Sequence, residues 1–299
     1  MTPQLVHRTV HVRGIDVHLV EAGAGPALVL QHGYPQDWHC WQGVLPILAR
    51  HFRVICPDMR GFGQSDAPPW GYDKEGLAQD LLAVCDALDV EQFSLGGHDW
   101  GGVVAFLAAL RAPRRVQRLV LLNTSHMFWK PSVRFWFGMR GFWYMPLVAT
   151  PLLGSWLVRR RWFTRSVLAW VHPGLPWDDA TRELYHGPIR TQRARASASR
   201  RLYSRFVFGE LFEALRGRYR RERLTVPTLM LHGQDDRAVR PAILSGHEPY
   251  ADDLRLELLH GAHFVCDDQP ELVAERMLAF LAPGHHDVTP VASALAATR

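Results

Sequence analysis

Asp99, Asp236 and His263 are the residues of this 299-residue chain whose types and settings suit covalent catalysis. Asp99 lies in Gly97-His98-Asp99-Trp100-Gly101, with glycine two places before it and two after. That is the spacing of a nucleophile elbow, a sharp strand-to-helix turn that lifts one side chain above a sheet. Its neighbours pass too close to other backbone to carry a Cβ. The nucleophile here is a carboxylate, not a hydroxyl. A carboxylate is a poor base but attacks a strained, electrophilic carbon, and the product is an alkyl ester. Cleaving that ester needs activated water, a task for a histidine whose tautomer is held by a second carboxylate. His263 in Gly261-Ala262-His263-Phe264 and Asp236 in His232-Gly233-Gln234-Asp235-Asp236 supply such a pair. Along the chain the order is nucleophile, acid, histidine. Asp235 competes for the acid role by adjacency; Asp236, three residues after Gly233, lies deeper in the turn and is preferred.

These residues need a frame that brings distant loops to one edge. Near-continuous apolar stretches at 26–31, 52–56, 92–95, 119–122, 228–231 and 254–259 read as buried strands, after an opening hairpin about Gly14. Helical spacing follows several of them, at 41–49, 77–88, 103–110 and 270–281. Alternating strand and helix predicts an α/β fold, a mostly parallel sheet covered by helices on both faces. Its functional loops collect at the carboxyl ends of the strands. From 126 to 223 the alternation stops, and aromatic and Arg-rich stretches broken by prolines predict an inserted helical cap. The expected division is a core at 1–125 and 224–284, a cap at 126–223, and a disordered tail at 285–299. The cap's tryptophans, among them Trp129, Trp136, Trp143, Trp156, Trp162, Trp170 and Trp177, are expected mainly to pack between its helices.

Composition narrows the function. Apolar residues make up 47% and charged residues 21%, as in an ordinary soluble globular protein. The formal charge of +5 is mild and comes with no nucleic-acid module. Much of the basic excess lies between Lys130 and Arg223, with clusters at 159–161 and 216–223, and reads first as a solvated helical face. Cys40, Cys56, Cys85 and Cys266 match no zinc or redox spacing. Gly61-Phe62-Gly63 lacks both a Walker lysine and a dinucleotide-binding spacing, so neither metal nor cofactor is expected. No apolar run is long enough for a signal peptide or a membrane span, and the cytoplasm is the default location.

The stretches His32-Gly33-Tyr34-Pro35-Gln36, Asp58-Met59-Arg60-Gly61-Phe62-Gly63-Gln64-Ser65-Asp66, Gly97-His98-Asp99-Trp100-Gly101-Gly102 and Gly261-Ala262-His263-Phe264 resemble the α/β-hydrolases, most closely the soluble epoxide hydrolases. The resemblance covers residues 5–283 and implies the aspartate-nucleophile branch of that superfamily. It implies conversion of an apolar epoxide and water to a vicinal diol, a detoxifying reaction without a cofactor, in a monomer or homodimer. Two cap tyrosines would donate hydrogen bonds to the epoxide oxygen. Trp143-Tyr144 with Pro151 seven residues after the tyrosine matches the first, and Arg201-Leu202-Tyr203 resembles the second. Backbone N–H groups of Tyr34 and Trp100 would form the oxyanion hole, with His32 and His98 as structural neighbours. The sequence departs from the family pattern at Ala149-Thr150, where an aromatic-Gln pair is frequent. The main rival is a haloalkane dehalogenase using the same aspartate and, for halide, Trp100; Tyr34 stands where many such enzymes carry Asn. A non-catalytic ligand-binding protein on the same fold is the third possibility.

Overall fold

In a computed structural model, residues 3–174 and 177–282 are described; the expected tail at 285–299 lies outside them. Eight strands form one sheet in the order β1-β2-β4-β3-β5-β6-β7-β8. β1 (Val6–Val12) and β2 (Ile15–Ala22) make the opening hairpin, and β2 pairs antiparallel with β4 (Arg53–Pro57). From β4 onward β3 (Ala27–Gln31), β5 (Phe93–His98), β6 (Val116–Leu122), β7 (Thr228–Gly233) and β8 (Leu254–Leu259) all pair in parallel. The central strands are buried on both faces, as their unbroken apolar runs require. Leu95, Leu119 and Leu121 enter one hydrophobic core, and Leu28, Leu30, Val120 and Leu122 enter the other.

A 3-10 turn (Trp38–Trp41) and α1 (Leu45–Leu48) stand where a single helix over 41–49 is expected. Asp37 caps the turn through the His39 N–H, and Pro46 starts a separate helix. Gly43 between them lies so close to Pro270 that an added Cβ would come within 2.7 Å of its ring. The core helices are α2 (Lys74–Ala87), α3 (Trp100–Arg111), α11 (Val265–Asp268) and α12 (Pro270–Leu281). Asp73 caps α2 by accepting the Gly76 N–H, and Leu77, Leu81, Val84 and Cys85 form its buried face.

Between β6 and β7 lies a run of helices: α4 (Val133–Met139), α5 (Met145–Ala149), α6 (Leu153–Leu157), α7 (Arg161–Val171), α8 (Asp179–Thr191), α9 (Arg193–Arg205), a π-helical turn (Phe206–Glu210) and α10 (Leu211–Leu215). These helices form a cap inserted into the α/β core. Their tryptophans depart from the expected packing role: Trp129 and Trp177 are buried, but Trp136, Trp143, Trp156 and Trp162 are exposed. Each of these helices buries one side, and Trp136, Trp143, Trp156 and Trp162 fall outside those buried sides.

Candidate active site

Asp99 sits between β5 and α3 at φ +50° and ψ −122°, a backbone conformation rare for a residue with a side chain. Such strain costs roughly 1–3 kcal/mol and persists only where the surroundings impose it. The glycines show what imposes it: a Cβ on Gly101 would lie 2.2 Å from the His32 carbonyl oxygen. On Gly33 a Cβ would lie 2.5 Å from the Asp99 Cβ. The elbow is pinned from β6, where the Leu122 carbonyl accepts the Asp99 N–H and the Thr124 hydroxyl donates to the Asp99 carbonyl. The side chain is thereby aimed out of the sheet edge.

The Tyr34 N–H donates to Asp99 Oδ2 at 2.9 Å. Across from it, His263 Nε2 lies 3.6 Å from Asp99 Oδ1, and His263 Nδ1 donates to Asp236 Oδ2 at 2.9 Å. The choice between the two adjacent acids is thus geometric: Asp236, not Asp235, touches the imidazole. Asp236 is fully buried yet well satisfied. Asn123 Nδ2 donates to Oδ2, and the Ala238 and Val239 N–H groups donate to Oδ1. Burial pushes its carboxyl up, but the His263 charge and hydrogen bond, with His232 and Asn123, outweigh this and hold it below the usual range. His263 is shifted the opposite way. Burial disfavours its charge, yet Asp236 and Asp99 on either side raise it to about 10.

His98 and His32 brace these groups. His98 Nε2 donates to the His263 carbonyl at 2.9 Å, and burial, with His263 nearby, lowers it to about 4, so it stays neutral. His32 is wholly buried, donating to the Gly33 carbonyl and accepting the Met59 N–H.

Tyr144 at the start of α5 and Tyr203 on α9 are 59 residues apart, yet both line one cavity with Asp99 and His263. Their ring centroids are 6.0 Å apart. Burial first, and then the Asp99 charge for Tyr144, or Tyr144 and the Asp99 charge for Tyr203, raise both phenols. They remain protonated donors. The rest of the lining is largely apolar: Val148, Phe163, Val167, Leu168, Val171 and Phe264.

Three participants escape sequence reasoning. Tyr34 also brings its ring into the cavity, edge-on to Tyr203 with centroids 5.2 Å apart. Lys74, from the core, is buried beneath the cap with Nζ 3.1 Å from Glu210 and 4.4 Å from the centroid of the Trp100 ring. His172, just after α7, accepts the Phe264 N–H at 3.0 Å and donates to Asp268. Lys74 and His172 carry no motif, and the motif that holds Tyr34 points to its backbone N–H, not to its ring. Each is recognisable only once cap and core are in contact.

The fold is shared with known proteins. Residues 26–144 match the alpha/beta hydrolase fold family. The soluble epoxide hydrolase of Corynebacterium sp. (strain C12) is 42% identical over 123 residues, which is 41% of this chain and 43% of that protein. Such stretches span less than half of the relatives concerned. Epoxide hydrolase 4 of Mus musculus is 27% identical over 285 residues, covering 90% of this chain and 77% of its own. The solved structure of the epoxide hydrolase CorEH superposes with a TM-score of 0.77 at 26% identity, covering 94% of this chain and 99% of that one. The chain has the α/β-hydrolase fold and is homologous to soluble and microbial epoxide hydrolases, consistent with the branch in which an aspartate occupies the elbow.

Proposed function

We propose that this chain is an epoxide hydrolase that opens an apolar epoxide through a covalent ester on Asp99. One observation supports it most: the buried phenols of Tyr144 and Tyr203 share a cavity with Asp99 and His263. Asp99 attacks one epoxide carbon, forming the C–O bond of the ester as the ring C–O bond breaks. Negative charge then appears on the ring oxygen, where phenol hydrogen bonds strengthen as the transition state is reached. A proton must reach that oxygen, and His263, protonated between two carboxylates, holds one. Once Asp99 is a neutral ester, one of the charges that retained the His263 proton is gone. The imidazole, still held by Asp236, becomes the base that takes a proton from water. The hydroxide attacks the Asp99 carbonyl, with the N–H groups of Tyr34 and Trp100 as oxyanion donors. Collapse releases the diol and restores the carboxylate. Epoxide and water balance against diol, so no cofactor or metal is called for.

In this proposal residues 126–223 act as a cap domain on a core of 1–125 and 224–284. The substrate is a small apolar epoxide, and a cytoplasmic, detoxifying enzyme, as monomer or homodimer, is the accompanying assignment. The dehalogenase alternative draws less support. The Trp100 ring packs edge-on against Tyr203 and Phe206 under the Lys74 ammonium and is not among the cavity-lining residues. The test is a parallel turnover screen of aryl and alkyl epoxides against haloalkanes. Diol release from an aryl epoxide such as styrene oxide is the expected result. Halide release without diol would replace this assignment with the dehalogenase, and no turnover of any substrate would leave a binding protein.

A further inference from the structure

The exposed tryptophans of the cap belong to a larger pattern. Among the described residues sixteen large hydrophobic side chains are exposed, and twelve of them lie between Val133 and Phe212. Nine of these fall within residues 133–162, including Val133 at 89% exposure and Leu152 at 88%. Scattered apolar residues on a surface are ordinary, but nine exposed within one inserted run of thirty residues is a bias that points to the outer side of these helices. Leu152 is the most telling. It has φ +61° and ψ −57°, a conformation unfavourable for leucine, and it uses that strain to hold an isobutyl group in water.

Charge identifies the partner. Residues 126–223 hold 19 Lys and Arg against 6 Asp and Glu, a net +13, so the rest of the chain carries −8 of the overall +5. No acidic residue occurs between Asp99 and Asp178. Arg134, Arg140 and Arg160 are exposed and have no carboxylate partner among the described residues. They are interleaved with the aromatics: Arg140 lies 5.6 Å from the Phe137 ring centroid and Arg160 lies 4.5 Å from that of Trp156. Indoles, leucines and unpaired arginines on one set of short helices form the composition of a surface that lies in a lipid headgroup layer. A second copy of the cap would bring +13 against +13, and apolar association would have to overcome that repulsion.

We infer that the outer surface of α4 to α7 is a docking face for an anionic lipid bilayer, on which the protein lies peripherally. No helix of the described residues is long and apolar enough to cross a membrane, so contact is limited to the interface. Helices α5 and α7 are two-sided in a useful way. Trp143, Leu147 and Trp162 sit at their outer surfaces, while Tyr144, Val148, Phe163 and Val167 line the cavity. An apolar compound dissolved in the bilayer would therefore meet the helices that enclose Asp99. Docking itself does not depend on the epoxide chemistry.

The experiment is vesicle co-sedimentation of the full chain with phosphatidylcholine alone or mixed with phosphatidylserine, at low and high salt, with indole emission recorded in parallel. Binding to the anionic vesicles is expected, with a blue shift of emission and weakening at high salt. The variant Leu152→Asp/Trp156→Gln should lose about tenfold or more in vesicle affinity, and Arg140→Gln/Arg160→Gln should lose mainly the preference for anionic lipid. Turnover of a water-soluble substrate, or the far-UV spectrum if there is none, reports that each variant is folded. Absence of binding to anionic vesicles would overturn the proposal, as would equal binding by the first variant. So would a concentration-dependent dimer in light scattering that this variant abolishes while vesicles are ignored, which would assign the face to a second copy.

Discussion

His263 lies between Asp236 and Asp99, and in the proposed mechanism it holds a proton in the resting state and gives it up when Asp99 is esterified. Ester formation and ester cleavage therefore make different demands on it. His263→Gln lacks the proton that His263 supplies to the ring oxygen, so it should be alkylated more slowly, with the phenols still holding that oxygen, yet accumulate the Asp99 ester, seen as a mass increase and up to about one equivalent of substrate consumed with little turnover. Asp99→Ala should show neither, and an alkylated Asp99→Ala protein would move the nucleophile elsewhere. Removing the hydroxyl from Tyr144 or Tyr203 as Phe should slow ring opening by roughly 1–3 kcal/mol, about fivefold to 150-fold, while the ring still fills its place. Unchanged single-turnover rates would take that phenol out of the mechanism. The same histidine also links stability to pH. Its value is raised from about 6.5 to about 10 on folding, so its contribution is complete below about 6.5 and is lost as pH climbs through 10. Melting temperature should therefore fall over that window more steeply in the native protein than in His263→Gln; parallel curves would mean the imidazolium is not stabilised in the fold.

At the scale of elements, the elbow and the cap-to-core joint differ in how much of them can be read from sequence. The elbow is a local device: glycines at fixed offsets, an apolar strand before and a helix after, each with a steric reason. The central strands are legible for a similar reason, since burial on both faces leaves a continuous apolar run. The joint is not local. Lys74 lies more than a hundred residues from Glu210 and Leu202, whose carboxylate and carbonyl take its ammonium. A lysine at the start of a helix reads as solvated until the cap covers it. The outward-facing cap tryptophans are not legible in the sequence, because aromatic residues serve equally well inside a bundle or on its surface, and helices as short as α4 to α6 show too little periodicity to separate the two. Burial lowers the Lys74 ammonium, and Glu210 works against that. Lys74→Met should cost about 3–5 kcal/mol, because the Glu210 carboxylate is left with little solvent and no counter-charge. Lys74→Met/Glu210→Gln should recover much of that loss in a thermal melt. If the double variant is no more stable than the single, the pair is not coupled.

Over the whole molecule, a parallel sheet delivers Asp99, Asp236 and His263 to one edge, and the cap delivers the phenols to the same place from the other side. The two halves meet closely. The cavity that Tyr34, Asp99, Tyr144, Tyr203 and His263 share with the apolar cap side chains is about 30 Å³. That is room for about one water and too little for an epoxide bearing a side group. Binding then requires the cap to shift, and the elements able to do so are helices α5 to α9, which pack mainly on one another and meet the core through side chains such as Tyr203 on Trp100 and, just after α7, His172 on Phe264. The strands beneath are paired on both sides and held by two hydrophobic cores. Local opening should therefore be confined to the cap. In hydrogen–deuterium exchange, amides of Met145–Ala149, Arg161–Val171 and Arg193–Arg205 should exchange well before those of β5 and β6. Saturation with the diol product should slow the cap amides several-fold and leave the strands unchanged, since a ligand can protect only the segments it holds closed. Equal exchange of cap and strands, or protection appearing in β5 and not in the cap, would mean that substrate reaches Asp99 through the core.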